Sequence, residues 1–377
     1  MGNESYYLMR KDIPVCEFSL ERKENGGRVS YSVENAQVLD EKKLPLDMLG
    51  GFNLGYYLQS RLMPVFGGYV GHRIIVGGDY LANSLENIIE YTGAFSLVDD
   101  FWLRRADDDK AWSEYNLFDN EIDDNVSLLA FTEEGVYEAK GFIRSPEFTT
   151  DGMLDKAWRQ IDGIIYLYKA SLGWGGRRRS DEQFSEFYSA QIAERLGLRH
   201  VVYDLGVWKG RLCSICELFT SADRSYIAAK KCVTDIRGFL RGLDRDSKLY
   251  QEFADTILFD AVVGNKRHTG NLGFIQDNDS MELIGLSPIF DNGKSLFVDV
   301  PDLRVKTRYT SRYYMISEWI NAEADLEEIR ELLTDKQRDA ARLMDGFEFR
   351  RHGEFNLSER RLVELERIVQ ERERALL

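Results

Sequence analysis

Four side chains along this sequence are of the types that phosphoryl transfer requires, and they come in a usable order. Lys169 closes an apolar, β-branched run, Ile164-Ile-Tyr-Leu-Tyr168. Glu186 lies inside a segment of helical period, and Asn271 and Asp291 sit in turn-rich stretches, His-Thr-Gly-Asn and Phe-Asp-Asn-Gly. A cation on a rigid strand can hold nucleotide phosphates, and a helix carboxylate can fix that cation. Hard oxygen ligands suit magnesium, and a base must stand near the acceptor hydroxyl. Each residue alone says little, since a strand-end lysine or a helix-surface glutamate is usually just solvated. The order carries the inference: strand with terminal Lys, helix with interior Glu, strand pair ending Glu-x-Phe, helix, His-x-x-Asn loop, hairpin, Asp-Asn-Gly.

The elements that must position these residues follow from periodicity. Phe184, Tyr188, Ile192 and Leu196 recur at i+4 and predict a helix over about 181–196 with one buried stripe. Strands are expected at His200 to Tyr203 and Arg211 to Phe219, with Gly210 in the turn between them. Leu249, Phe253, Ile257 and Ala261 mark one face of a helix over Ser247 to Val263, and short strands follow near Gly273 to Ile275 and Met281 to Ile284. The tail from about Ser317 reads as helical. Asn356, with Glu359 three residues on, is the expected N-cap of its last helix. Residues 1–140 are the least readable third, with short strand-like runs at Tyr6 to Met9, Arg73 to Val76 and Phe101 to Arg104.

Composition bounds the alternatives. The chain has 377 residues, 44% of them hydrophobic, which can fill a large core in one two-lobed body or two domains. Its net charge of −15 argues against bulk binding to a phosphate backbone, so no direct nucleic-acid binding is expected. No run of 18 apolar residues suggests a membrane span, and the first twenty residues lack a signal-peptide core, so a cytoplasmic location is expected. Cys213 and Cys216 form a CxxC inside an apolar strand-like run, without a second CxxC or a His pair, and read as buried structural thiols rather than a zinc or redox site. GGFNLG and GGYVG read as turn glycines; neither gives GxGxxG after a clear strand, which weakens a dinucleotide-binding reading.

Over roughly residues 141–345 the sequence resembles the HipA-like serine/threonine kinases. TTDGMLDKAW (149–158) is similar to that family's glycine-containing loop, with Gly152 and Lys156 on its Gly-x-x-x-Lys. IIYLYK (164–169) resembles the strand whose lysine grips ATP phosphates, with Glu186 as its partner carboxylate. CELF (216–219) matches the hinge Glu-x-Phe, which implicates Glu217, Leu218 and Phe219 in meeting adenine. RHTGNLGF (267–274) and PIFDNG (288–293) resemble the catalytic loop and the metal-binding aspartate, which places Mg²⁺ on Asn271 and Asp291. That last pair is the most specific signal.

One departure outweighs these matches. The family's loop reads Asp-x-His-x-x-Asn, and here His268 is in place while Lys266 holds the Asp position. Counted from the preceding helix, the loop instead looks one residue short. Either way no carboxylate stands where the base is expected, and a lysine accepts a proton at neutral pH only if its pKa falls by several units. The leading reading is therefore an ATP·Mg-binding kinase homologue with impaired or lost transfer. The alternatives are an active serine/threonine kinase with an atypical loop and a non-catalytic protein-binding module. Asp260, on the preceding helix, reads as a structural or surface residue rather than a replacement base. His268 reads as a loop brace as well as a catalytic candidate. Arg177 to Arg179 and Ser180 fit either a phosphate-contacting loop or a solvated one.

The expected fold is α+β, two-lobed and kinase-like. An N-terminal α/β extension (1–140) would pack on a small sheet-bearing lobe (141–220), and a helical lobe (221–377) would complete an interlobe cleft. ATP and Mg²⁺ are the implied cofactors and a protein hydroxyl the implied acceptor. The resemblance also implies, as a partner class, a small helix-turn-helix antitoxin on a separate chain.

Overall fold

A computed structural model describes residues 4–25, 28–49, 51, 53–67, 70–132, 134–150, 155–170, 181–265, 267–300 and 326–377. The class is the expected mixed α+β. The chain forms two compact units, one of residues 1–167, 220–225 and 277–282, the other of 168–219, 226–276 and 283–377.

The first unit is built on an antiparallel sheet. Strands β1 (Ser5–Arg10), β2 (Ile13–Asn25) and β3 (Arg28–Val38) are followed by α1 (Leu46–Leu49) and α2 (Leu54–Gly67). Next come β4 (Ile74–Val76), β5 (Asp79–Tyr80), α3 (Leu85–Thr92), β6 (Phe101–Arg105), α4 (Trp112–Tyr115), α5 (Asp124–Thr132) and β7 (Tyr137–Glu138). The main sheet runs β3-β2-β1-β6, and β5-β4-β7 is a smaller one. Alternation along β1 turns Tyr6 and Leu8 into a core shared with Phe18, Leu58, Ile88, Leu103 and Phe148. β8 (Lys156–Ile161) turns through Asp162 and Gly163, both at positive φ, into β9 (Ile164–Ala170), within which the first unit ends.

The second unit holds α6 (Glu182–Arg195), β10 (Tyr203–Trp208) and β11 (Arg211–Glu217), with sheet order β10-β11-β9. β12 (Arg224–Ala228), α7 (Ala229–Cys232), α8 (Ile236–Arg241) and α9 (Lys248–Val263) follow. β13 (Gly273–Asp277) and β14 (Leu283–Leu286) join β12 in a three-stranded sheet. The tail supplies α10 (Leu326–Leu332), α11 (Asp335–Arg342) and α12 (Glu359–Leu376). Tyr188, Ile192 and Leu196 pack with Phe253, Ile257, Ala261, Leu362, Leu365 and Val369 in one core, and Phe184 flanks it. Among the described residues, no helix is long and apolar enough to cross a membrane.

Two local expectations change. The strand expected at His200 to Tyr203 begins instead at Tyr203. Lys209 and Gly210, both at positive φ, make a two-residue turn that pairs Trp208 with Arg211, and the register then runs back to Tyr203 opposite Cys216. His200 bridges Ile289, and the Val201 amide donates to Ile289 O at 2.9 Å, so this stretch supports the segment leading into Asp291. The cap of α12 is Ser358, whose hydroxyl accepts from the Arg361 amide. Asn356 is occupied elsewhere: its Oδ1 accepts from Tyr188 Oη at 2.7 Å and from the His352 amide at 2.8 Å.

Candidate functional site

Lys169 enters from β9, and its ammonium lies 2.5 Å from Glu186 Oε1 on α6. The same nitrogen donates to Asp291 Oδ1. Glu186 Oε2 accepts from Ser214 Oγ on β11. Asp291 Oδ2 accepts from Asn271 Nδ2 at 2.6 Å. Sheet, helix and two loops of the second unit therefore converge on one hydrogen-bonded chain, Ser214–Glu186–Lys169–Asp291–Asn271. The helix and strand can hold this geometry because both are anchored: α6 through its buried stripe, β9 through its pairing with β11.

The electrostatics follow from burial and partners. Burial alone would lower the Lys169 pKa, but the Asp291 and Glu186 carboxylates more than offset it and hold the group charged, above its ordinary range. Burial also works to raise the Asp291 pKa, yet Lys169 outweighs it and brings that carboxyl down to about 2. Glu186, 1% exposed at its side chain, is pushed up by burial, with Lys169 opposing.

Asp291 has backbone φ of +54°, a left-handed conformation that Asp tolerates better than most residues. Its amide donates to Tyr203 Oη at 3.0 Å, on the strand opposite Cys216. Ser185 Oγ donates to Asn292 O and Ser295 O, both at 2.8 Å, which ties α6 to the loop beyond Asp291.

His268 Nδ1 accepts from the Gly270 amide at 3.0 Å, and the Asn271 amide donates to His268 O at 2.8 Å, so the loop closes on itself around Asn271. Glu217 ends β11 exposed, with Leu218 and Phe219 half-buried beyond it. The Phe219 ring packs against Tyr226 and Phe290 at centroid distances of 5.7 and 5.0 Å. Tyr226 Oη donates to Gly270 O at 2.6 Å. Phe219 thereby joins the end of β11 to both loops.

The structure thus brings together Lys169, Glu186, Asn271 and Asp291, with His268 in the same loop and Phe219 linked through Phe290. Lys156 lies on β8 in the first unit. Gly152, Lys266 and the Arg177–Ser180 stretch fall outside the described residues. Cys213 and Cys216 are buried thiols, and burial raises them to about 11 and about 12. Among the described residues no group of three or more His, Cys, Asp or Glu could hold a metal.

Asp260 is structural, and not on the surface: it is fully buried on α9 and paired with Arg267. Sequence reasoning passed over Arg267, Tyr203 and Ser214. Arginine is mostly exposed, so nothing in the one-letter pattern marks Arg267 as interior.

The chain is 27% identical over 138 residues to the serine/threonine-protein kinase CtkA of Helicobacter pylori, a match covering 32% of this chain and 42% of that protein. The match therefore spans under half the length of this relative. Among solved structures, the chain is similar to the H. pylori proinflammatory kinase CtkA, with TM-score 0.43 and 18% identity over 59% of this chain and 92% of the other. It is also similar to a Shewanella oneidensis MR-1 toxin–antitoxin structure of HipA with HipB and operator DNA. There the TM-score is 0.47 and the identity 12%, over 98% of this chain and 96% of the other. No family model matches the sequence.

Proposed function

We propose that this chain, similar over 138 residues to the serine/threonine-protein kinase CtkA, is a HipA-like kinase homologue that binds ATP with magnesium and has impaired or lost phosphotransfer. The observation that carries the reading is the chain Glu186–Lys169–Asp291–Asn271, in which a partly buried strand lysine is fixed by a buried helix carboxylate beside two oxygen-bearing side chains. In this reading Lys169 neutralises nucleotide phosphates while Glu186 holds it in place. Glu217, Leu218 and Phe219 meet the adenine.

Asn271 and Asp291 fit magnesium by the chemistry of their donors. Asn271 uses Nδ2 on Asp291, which leaves its Oδ1 for a hard cation, and Asp291 supplies a carboxylate. Magnesium keeps several waters and takes one or two protein oxygens together with substrate phosphates, so two such residues suffice. A bound ATP·Mg complex supplies a transferable γ-phosphoryl group with its charge partly neutralised. The residues present bind and orient; none at the Asp position of the loop accepts the acceptor's proton.

The test is phosphate transfer from radiolabelled ATP, to the chain itself and to a mixed serine/threonine protein substrate. It compares the parent with Lys266→Asp and with an Asp inserted after Lys266. A general base contributes about 10²–10⁴-fold, so one of the two variants should gain at least ~10²-fold over a weak parent. A parent as fast as ordinary kinases, with no gain in either variant, would replace this reading with an active kinase whose loop needs no carboxylate.

A further inference from the structure

The buried pair of Arg267 and Asp260 belongs to none of the roles above. The Arg267 side chain is 1% exposed and that of Asp260 fully buried. Arg267 Nε donates to Asp260 Oδ2 at 3.0 Å and Nη2 to Oδ1 at 2.8 Å. Asp260 is fixed on α9, and Asn265 Nδ2 also donates to it at 3.3 Å. The rest of the guanidinium faces the two loops. Nη1 donates to Phe290 O at 2.7 Å and to Asn271 O at 3.3 Å, and Nη2 donates to Asn292 Oδ1 at 2.9 Å.

One side chain therefore grips the backbone of Asn271 and both residues flanking Asp291. Stability alone does not call for it, because well-packed apolar residues often replace a buried ion pair without loss. Geometry does. A planar fork with five donors can hold two loops at a set distance, and a lysine ammonium at the same place cannot. Tyr203, accepting from the Asp291 amide, closes the remaining side of the loop.

We propose that Arg267, braced by Asp260, is a positioning residue that sets the spacing of Asn271 and Asp291 and so governs how well the pair takes a divalent cation. This inference rests on the magnesium reading above.

The experiment uses the full chain and compares the parent with Arg267→Lys and with the double variant Asp260→Leu/Arg267→Met. ATP affinity is measured with Mg²⁺ and with EDTA, alongside the melting temperature and amide hydrogen exchange. The double variant should melt within a few degrees of the parent and keep its affinity in EDTA. Its Mg²⁺-dependent gain should fall by about 10-fold or more, the scale seen when partners that orient metal ligands are removed. Amides at 267–271 and 290–292 should exchange faster while those of β10 and β11 do not. A folded double variant with the parental magnesium gain and parental exchange overturns the proposal. If the double variant does not fold, Arg267→Lys, which keeps the charge and loses the fork, decides by the same readouts. A parent without magnesium-dependent ATP binding overturns the nucleotide reading instead, and the exchange measurement then decides whether Arg267 clamps the loops.

Discussion

Lys169 and Glu186 meet at 2.5 Å, with the Glu186 side chain 1% exposed and the Lys169 side chain 13% exposed. A carboxylate that deep depends on its cation, and removing one partner of a buried pair costs far more than replacing both. Lys169→Met is therefore expected to destabilise the chain by about 3–5 kcal/mol. Adding Glu186→Gln should recover most of that, because the amide oxygen still accepts from Ser214. Chemical denaturation of the three proteins measures the coupling. Equal losses in the single and double variants would show that Glu186 does not need Lys169.

Thiol reactivity tests the burial of the CxxC. Cys16, Cys213 and Cys216 are buried, and burial raises their thiols to about 11, about 11 and about 12, whereas Cys232 is exposed. Since the thiolate is the reactive form, native labelling at pH 8 should modify Cys232 quickly and the other three only on unfolding. Cys232→Ser should abolish the fast phase. Rapid labelling of Cys216 in that variant would contradict the β11 packing.

Glu147 in the first unit gives a pH signature. Burial raises its pKa to about 7, and the Trp158 amide, donating to Oε1 at 2.8 Å, and the charge of Lys156 only partly oppose that. The unfolded value is about 4.3, so folding favours the protonated form. The stability this contributes is present in full below the unfolded pKa and is lost as pH rises through about 7. Glu147→Gln should therefore melt a few degrees above the parent at pH 8, with the gap narrowing toward pH 5. A gap that widens on acidification would contradict this sign.

Much of the candidate site was legible because its residues end or interrupt strongly periodic segments. Lys169 closes a β-branched run that is a strand, whereas Glu186 lies two residues from Phe184 and Tyr188, off the i+4 apolar series of α6, so the pattern marked its helix and not its burial. Asn271 and Asp291 stood in turn-rich loops whose order, rather than local structure, gave them meaning. What failed depended on distant partners. His200 looks strand-like locally, yet its partner is Ile289, and the tight turn at Lys209-Gly210 sets the β10 register without it. Asn356 has the chemistry of an N-cap, but Tyr188 and His352 claim its amide and Ser358 caps the helix. Arg267 is harder still, since burying a guanidinium is expensive and only the three-dimensional meeting of Asp260, Phe290 and Asn292 makes it tolerable.

A magnesium-dependent nucleotide site built on Lys169 and Asp291 should reveal itself in a thermal-shift titration with ATP, with and without Mg²⁺. The parent is compared with Lys169→Ala and Asp291→Ala. Ligand at 100 times its dissociation constant stabilises a binder by about 2.7 kcal/mol, a shift of a few degrees for a chain of this size. The parent should show a magnesium-dependent shift that is lost in both variants, each measured against its own ligand-free melting temperature. A parent that does not shift up to millimolar ATP would contradict it and leave a kinase-like chain that binds no nucleotide.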